Sequence, residues 1–187
     1  MSTNLSSNNT RYGYGLVSIA FHWLTLLLLI AVYASMEFKG IYPKASPGRE
    51  AIMMWHYMLG LTVFGITFLR IAARLAGERP QIVPVPPAWQ NKLAAAVHGI
   101  LYLMLIGLPI LGWLALSAKG EPIPFFGFEL PALLSPDKAL AKQIKEVHET
   151  IATVGYAVIG LHAAAAIYHH SFMRDNTLRL MLPLQRP

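Results

Sequence analysis

The stretch VHETIATVGYAVIGLHAAAAIYHH, residues 147–170, decides the reading of the chain. Its length and apolarity are those of most of a membrane-spanning helix, yet it carries four histidines, His148, His162, His169 and His170. Ionisable side chains are costly inside a bilayer and mark functional positions there. Fourteen residues separate His148 from His162. At about 100° per residue that spacing falls within about 40° of four full turns, so both rings lie on one helix face, roughly 21 Å apart along the axis.

The rest of the chain suits a membrane. Of 187 residues, 55% are hydrophobic and 13% charged, and the mean hydropathy is +0.47. That is too apolar for an ordinary soluble domain. The absence of cysteine excludes disulfides, iron–sulfur clusters and thioether-linked haem. The net charge of +6 does not point to nucleic acid, because basic residues border membrane spans in any case.

Four apolar runs, residues 16–36, 53–73, 93–118 and 148–168, reach the roughly 20 residues a helix needs to cross a bilayer. Backbone in lipid must satisfy its own hydrogen bonds, which makes these runs helices. The first run follows a polar front with one basic residue and no small-residue cleavage site, and reads as a retained span. The expected fold is an all-α membrane protein. It has a polar N-terminal tail over residues 1–15, a four-helix transmembrane bundle over 16–170 and a cytoplasmic tail over 171–187. Arg11, Arg70, Arg74, Arg79, Lys92, Arg174, Arg179 and Arg186 fall on one side and Lys39, Lys44, Arg49, Lys119, Lys138, Lys142 and Lys145 on the other. Eight against seven tips both termini toward the cytoplasm, by a small margin.

The connections differ in character. ERPQIVPVPPAW (residues 78–89) is proline-rich and extended. KGEPIPFFGFELPALLSPDK (119–138) is expected on the outer membrane surface, with its aromatics at the interface. DKALAKQIKE (137–146) either extends the fourth helix outward or forms a short helix of its own. Pro109 is expected to kink the third span.

Every span carries a histidine near one end. His56 matches His148 at the outer level, and His22 matches His162 at the inner level. Two facing imidazoles can hold one haem iron axially, so the four make two bis-histidine sites. Gly60, Gly65, Gly155, Gly160 and residues 163–166, all alanine, leave room for a porphyrin, although small residues also let bare helices approach. Trp23, Tyr57, Tyr102 and Tyr156 either pack around the macrocycles or belong to the core and the interfacial belt. Zinc fits poorly, since no carboxylate clusters with these histidines at depth. His98 begins the third span at the inner level. It is a rival ligand there, or a partner for a haem propionate or a quinone oxygen, or simply a residue facing the interface. His169 lies within roughly 20° of the His162 face. His169 and His170, with Arg174 nearby, are candidate quinone contacts able to supply protons, or a pair of interfacial histidines.

Several motifs point the same way. FHW (21–23), YASMEFKGIYPK (33–44), LPILGW (108–113) and HETIATVGYAVIGLHAAAAIYHH (148–170), followed by DNTL (175–178), closely resemble the bacterial cytochrome b(561) family. The similarity runs from about Tyr12 to Pro183. It implies a four-helix protein of the inner membrane that encloses two b-type haems, with the ligands His22, His56, His148 and His162. The superoxide-oxidising members are the most similar. They imply oxidation of superoxide at the periplasmic side and transfer through both haems to ubiquinone, with no protein partner required. On that implication Lys39, Lys44, Arg49, Lys138, Lys142 and Lys145 steer the anion, unless they are only the ordinary basic border of the spans. The alternative is a haem-b membrane subunit that relays electrons between a dehydrogenase or hydrogenase and the quinone pool.

Overall fold

The computed structural model describes residues 9–183. The outer parts of both tails, Arg186 included, lie outside the described residues. Among the described residues, four helices are long and apolar enough to cross a membrane: α1 (Leu16–Phe38), α2 (Pro47–Leu75), α3 (Ala88–Lys119) and α4 (Lys138–Tyr168). They contain the four expected spans and extend past most of their ends. α3 continues through Pro109 as one helix.

Local chemistry sets the boundaries. Ser46 caps α2, its hydroxyl accepting the Arg49 N–H at 3.4 Å. Pro47 takes the first helical position, where no N–H is needed, and Glu50 lies in the first turn, where an acid favours the helix dipole. α3 closes on Gly120, whose φ is 73°. The Gly120 N–H reaches Ser117 O at 3.0 Å and the Glu121 N–H reaches Leu116 O at 3.1 Å, which satisfies two of the last carbonyls. Asp137 starts α4, its Oδ1 accepting the N–H groups of Ala139 and Leu140 at 2.9 and 3.0 Å. Residues 138–146 therefore belong to the fourth helix rather than to a short helix of their own.

The third connection contains a hairpin that the sequence reading did not anticipate. β1 (Ile123–Phe125) pairs antiparallel with β2 (Phe128–Leu130). Phe126 and Gly127 between them have φ of 45° and 90°, and positive φ at both positions matches a two-residue turn to strand twist. Gly127 was the available signal. Phenylalanine seldom takes positive φ, so Phe126 hid it. The Phe126 N–H lies 3.4 Å from Met58 Sδ and its ring meets Trp55 edge-on.

The chain forms two compact units, each taking a segment of every long helix. Unit 1 comprises the chain up to Leu24, Ile66–Tyr102 and the chain from Tyr156 onward; unit 2 comprises Thr25–Gly65 and Leu103–Gly155. In unit 1, Asn9 is buried. It donates from Nδ2 to Ala73 O at 3.2 Å and accepts the Gly15 N–H at 2.9 Å. Trp23 Nε1 donates to Met181 O at 2.7 Å.

In unit 2, Tyr33 donates its hydroxyl hydrogen to Ala152 O at 2.9 Å. Gly155 is buried, and a Cβ there would overlap the Tyr33 hydroxyl and lie 2.7 Å from Met104 Cε. This glycine serves close helix approach and leaves no room for a porphyrin. Gly155→Val is expected to destabilise the protein by about 1–3 kcal/mol through overpacking, seen as a lower thermal unfolding midpoint in detergent.

Candidate functional site

Unit 2 brings together His56 of α2 and His148 of α4, with ring centres 6.4 Å apart and planes inclined at 72°. Two imidazoles on opposite sides of one metal place their ring centres roughly 6 Å apart, given metal–nitrogen bonds of about 2 Å and about 1 Å from ring nitrogen to ring centre. The spacing is therefore wide enough for the two rings to hold one metal between them.

Hydrogen bonding fixes which nitrogen is free. His148 Nδ1 lies 3.0 Å from Leu108 O. A carbonyl only accepts, so His148 donates Nδ1–H and keeps the Nε2 lone pair. His56 Nδ1 lies 3.2 Å from Val32 O and 3.1 Å from Ser35 Oγ. Ser35 donates its own hydrogen to Val32 O at 2.6 Å, which leaves its lone pairs for the His56 Nδ1–H. Both rings thus present Nε2 as an acceptor, with the other nitrogen anchored as metal-bound histidines have it. Beside them lies a small cleft of about 40 Å³, lined also by Tyr57, Gly60, Gly112, Trp113 and Ile123. A Cβ at Gly60 would meet nothing within 4 Å. Paired imidazoles beside open space fit a haem.

Unit 1 brings together His22 of α1 and His162 of α4, with ring centres 6.3 Å apart and planes inclined at 60°. His98 of α3 is closer to His162, at 5.2 Å, shorter than two axial rings require. The hydrogen bonding differs from unit 2. Arg70 Nη2 lies 3.2 Å from His22 Nδ1. Arginine only donates, so this His22 nitrogen accepts and a neutral ring carries its proton on Nε2. A metal at Nε2 would have to displace that proton. Arg70 and Arg74 both lie over the Tyr102 ring, at 5.7 and 5.9 Å. His22, His98 and His162 gather here, yet among the described residues no group of three or more histidines or acids is placed to hold a bare metal ion.

The candidate steering cations fall in two sets. Lys142 and Lys145 pair with Glu146 and Glu149 one turn on, at 3.8 and 3.1 Å. Lys44 and Lys138 are exposed, and Arg49 donates to Lys39 O at 2.9 Å. His169 and His170 open a single π-turn, His169–Met173, beyond α4, and Arg174 follows in a left-handed conformation with φ of 53°. His170 Nδ1 is buried without a hydrogen-bond partner. His169 Nδ1 lies 2.5 Å from Asp175 Oδ2, a partner that sequence reasoning missed. Among the candidate aromatics, Tyr57 lines the cleft, the Trp23 ring meets His22 edge-on and Tyr156 is exposed.

The family model for prokaryotic cytochrome b561 matches residues 13–184. The chain belongs to the prokaryotic cytochrome b561 family. "Cytochrome b561 homolog 1" of Escherichia coli (strain K12) is 38% identical over 168 residues, 90% of this chain and 96% of the relative. "Probable superoxide oxidase CybB" of Yersinia pestis is 36% identical over 173 residues, 92% and 97% of the two chains. "Cytochrome b561 homolog 2" of Escherichia coli (strain K12) is 31% identical over 186 residues, 95% of each.

As a member of the cytochrome b561 family, the chain is a bacterial membrane protein of helical-bundle architecture that carries b-type haem and transfers electrons. Ser35, Arg70 and Asp175 were not among its candidate site residues on sequence grounds. Each reaches a histidine on another element or across a turn, and short-range spacing carries no signal for that.

Proposed function

We propose that this cytochrome b561-family protein oxidises superoxide to dioxygen at the periplasmic face and delivers the electrons, by way of two b-type haems, to ubiquinone, with both termini in the cytoplasm. The overall reaction takes two superoxide anions, one quinone and two protons to two dioxygen molecules and one quinol. The observation that carries the reading is the His56–His148 pair, with spacing wide enough for one metal between the rings and both Nε2 atoms left as acceptors. The likeness to a relative named a probable superoxide oxidase supports superoxide as the substrate.

His56 and His148 would hold one haem, and His22 and His162 the other. When bound, each haem supplies a one-electron centre whose potential depends on its ligands and their surroundings. The Val32 and Leu108 carbonyls and the Ser35 hydroxyl orient the unit 2 rings. Among the described residues Arg70 and Arg74 form no salt bridge, so their charge suits the anionic propionates of a haem. Superoxide gives up its electron without exchanging a proton, so the donor end needs attraction and access and no acid–base catalyst. Lys39, Lys44, Arg49 and Lys138 supply that attraction. Lys142 and Lys145 add less, because Glu146 and Glu149 offset them. At the acceptor end His169, His170 and Arg174 are the candidate quinone contacts.

Stopped-flow mixing of oxidised holoprotein with superoxide tests the reading. The expected result is rapid growth of the reduced-haem bands, followed by their decay when ubiquinone-1 is present. Bands that stay oxidised would remove superoxide as the donor and leave the relay-subunit reading. For the inner ligands, His98→Ala is expected to retain both haems by pyridine haemochrome assay. Loss of one would make His98 a ligand.

A further inference from the structure

Quinone reduction consumes two protons along with two electrons, so its site needs a group that can hand over hydrogen. Unit 1 holds a carboxylate–imidazole couple suited to that task. His169 Nδ1 and Asp175 Oδ2 are 2.5 Å apart, with side chains 19% and 2% exposed. Water therefore does little for Asp175, and the protein satisfies its oxygens instead. Oδ2 takes the His169 ring and Oδ1 takes the Thr177 N–H at 2.9 Å. Burial alone would raise the Asp175 pKa. The hydrogen bonds from His169 and Thr177 outweigh burial and hold the carboxyl below its usual range. An ionised carboxylate only accepts, so His169 donates Nδ1–H and Nε2 is the remaining polar atom of the ring.

Two features distinguish the couple from a plain helix end. First, the backbone terminates the helix without help from the carboxylate. The Arg174 N–H and the Asp175 N–H both reach His169 O, the latter at 3.2 Å. Second, the chain adopts costly conformations to bring Asp175 back to the ring, a π-turn and then a non-glycine residue at positive φ. Asn176 secures the return. It accepts the Val83 N–H at 2.8 Å on Oδ1 and donates from Nδ2 to Gln81 O at 3.2 Å.

We propose that Asp175 is a positioning residue of the quinone site, orienting His169 so that Nε2 hands a proton to the quinone oxygen and balancing the charge of the ring while it carries that proton. The inference rests on the proposed quinone acceptor. In each half of the reduction the quinone would gain one electron, which a bound haem would supply by its own one-electron oxidation, and one proton from Nε2. The N–H bond breaks and an O–H bond of the quinol forms. His169 is left neutral, still donating Nδ1–H to Asp175, and regains its proton from water at its exposed edge. A second transfer completes the quinol.

The test bypasses the donor end. Holoprotein in nanodiscs is reduced with stoichiometric dithionite under anaerobic conditions and mixed with ubiquinone-1. Asp175→Asn keeps the volume and an acceptor but removes the charge. It is expected to slow haem reoxidation by about tenfold or more at unchanged quinone KM, with the haem spectrum intact. His169→Gln is expected to be at least as slow, and the double variant no slower than His169→Gln, as for two residues acting through one step. Nitrogen-15 solid-state NMR of histidine-labelled protein gives a readout independent of turnover. A strongly hydrogen-bonded Nδ1–H signal is expected in the wild type, absent in His169→Gln and displaced in Asp175→Asn.

A wild-type reoxidation rate in Asp175→Asn, or additive losses in the double variant, would overturn the role of Asp175 and leave the quinone reading intact. If Asp175→Asn fails to assemble, the comparison of wild type with His169→Gln still decides, because the lack of that Nδ1–H signal in the wild type overturns the couple. If ubiquinone-1 does not reoxidise the wild-type haems, the quinone reading falls and the proposal falls with it.

Discussion

His148→Ala is expected to lower haem content from two per chain to one. The opposite ring, His56, keeps its bonds to Val32 and Ser35, but one imidazole leaves half of the axial coordination unmade, and a b-type haem has no covalent tether to retain it. His56→Ala should give the same product. His162→Ala should also give one haem per chain, but the other one, distinguishable by its absorption maximum and its electron paramagnetic resonance signal. The double variant His148→Ala/His162→Ala should bind none, because α4 supplies one ring to each pair. Haemochrome assay against protein concentration measures the ratio. A His148→Ala protein that keeps both haems refutes the pairing in unit 2. The unit 1 site has a further discriminating result: His22→Ala with both haems retained would mean that the Arg70 bond at His22 Nδ1 describes the resting role of that ring.

His162→Ala is expected to separate the two ends of the reaction. Superoxide should still reduce the remaining haem, because His56, His148 and the cations Lys39, Lys44, Arg49 and Lys138 are untouched. Delivery to ubiquinone should fall by roughly two orders of magnitude or more, as expected when a shared step is lost. His148→Ala should show the mirror image: reduction by superoxide is lost, while dithionite-reduced protein still passes electrons to ubiquinone-1. The contrast is decisive because a merely unstable variant would lose both activities together. Equal losses at both ends in both variants would mean that the two pairs do not serve opposite ends of a path.

Much of this architecture was legible because two periodicities dominate a membrane chain. Hydropathy marks the spans, and the 100° turn per residue puts His148 and His162 on one face of a continuous helix. Matching levels then predicted which rings meet, and the structure brings His56 to His148 and His22 to His162. The failures occur where those periodicities stop. The Phe126–Gly127 turn uses a left-handed phenylalanine that propensity disfavours. Asp175 reaches His169 through a π-turn, which breaks the pitch on which a face assignment depends. Arg70 meets His22 from another helix, a contact that only tertiary packing determines. Gly155 shows that a small residue is ambiguous by itself, since the space it vacates is taken by Tyr33 and Met104.

The two rings in unit 2 are held chiefly by main-chain oxygens, those of Val32 and Leu108. Every amino acid carries that oxygen, so positions 32 and 108 can change identity without removing the acceptor, provided the helix persists. The His22 and His169 contacts enjoy no such immunity, since each rests on one particular side chain, Arg70 or Asp175. A single base change can abolish either of those contacts, whereas drift at residues 32 and 108 leaves the imidazole anchors in place. Laboratory libraries should therefore tolerate broad diversity beside His56 and His148 and very little at Arg70 and Asp175.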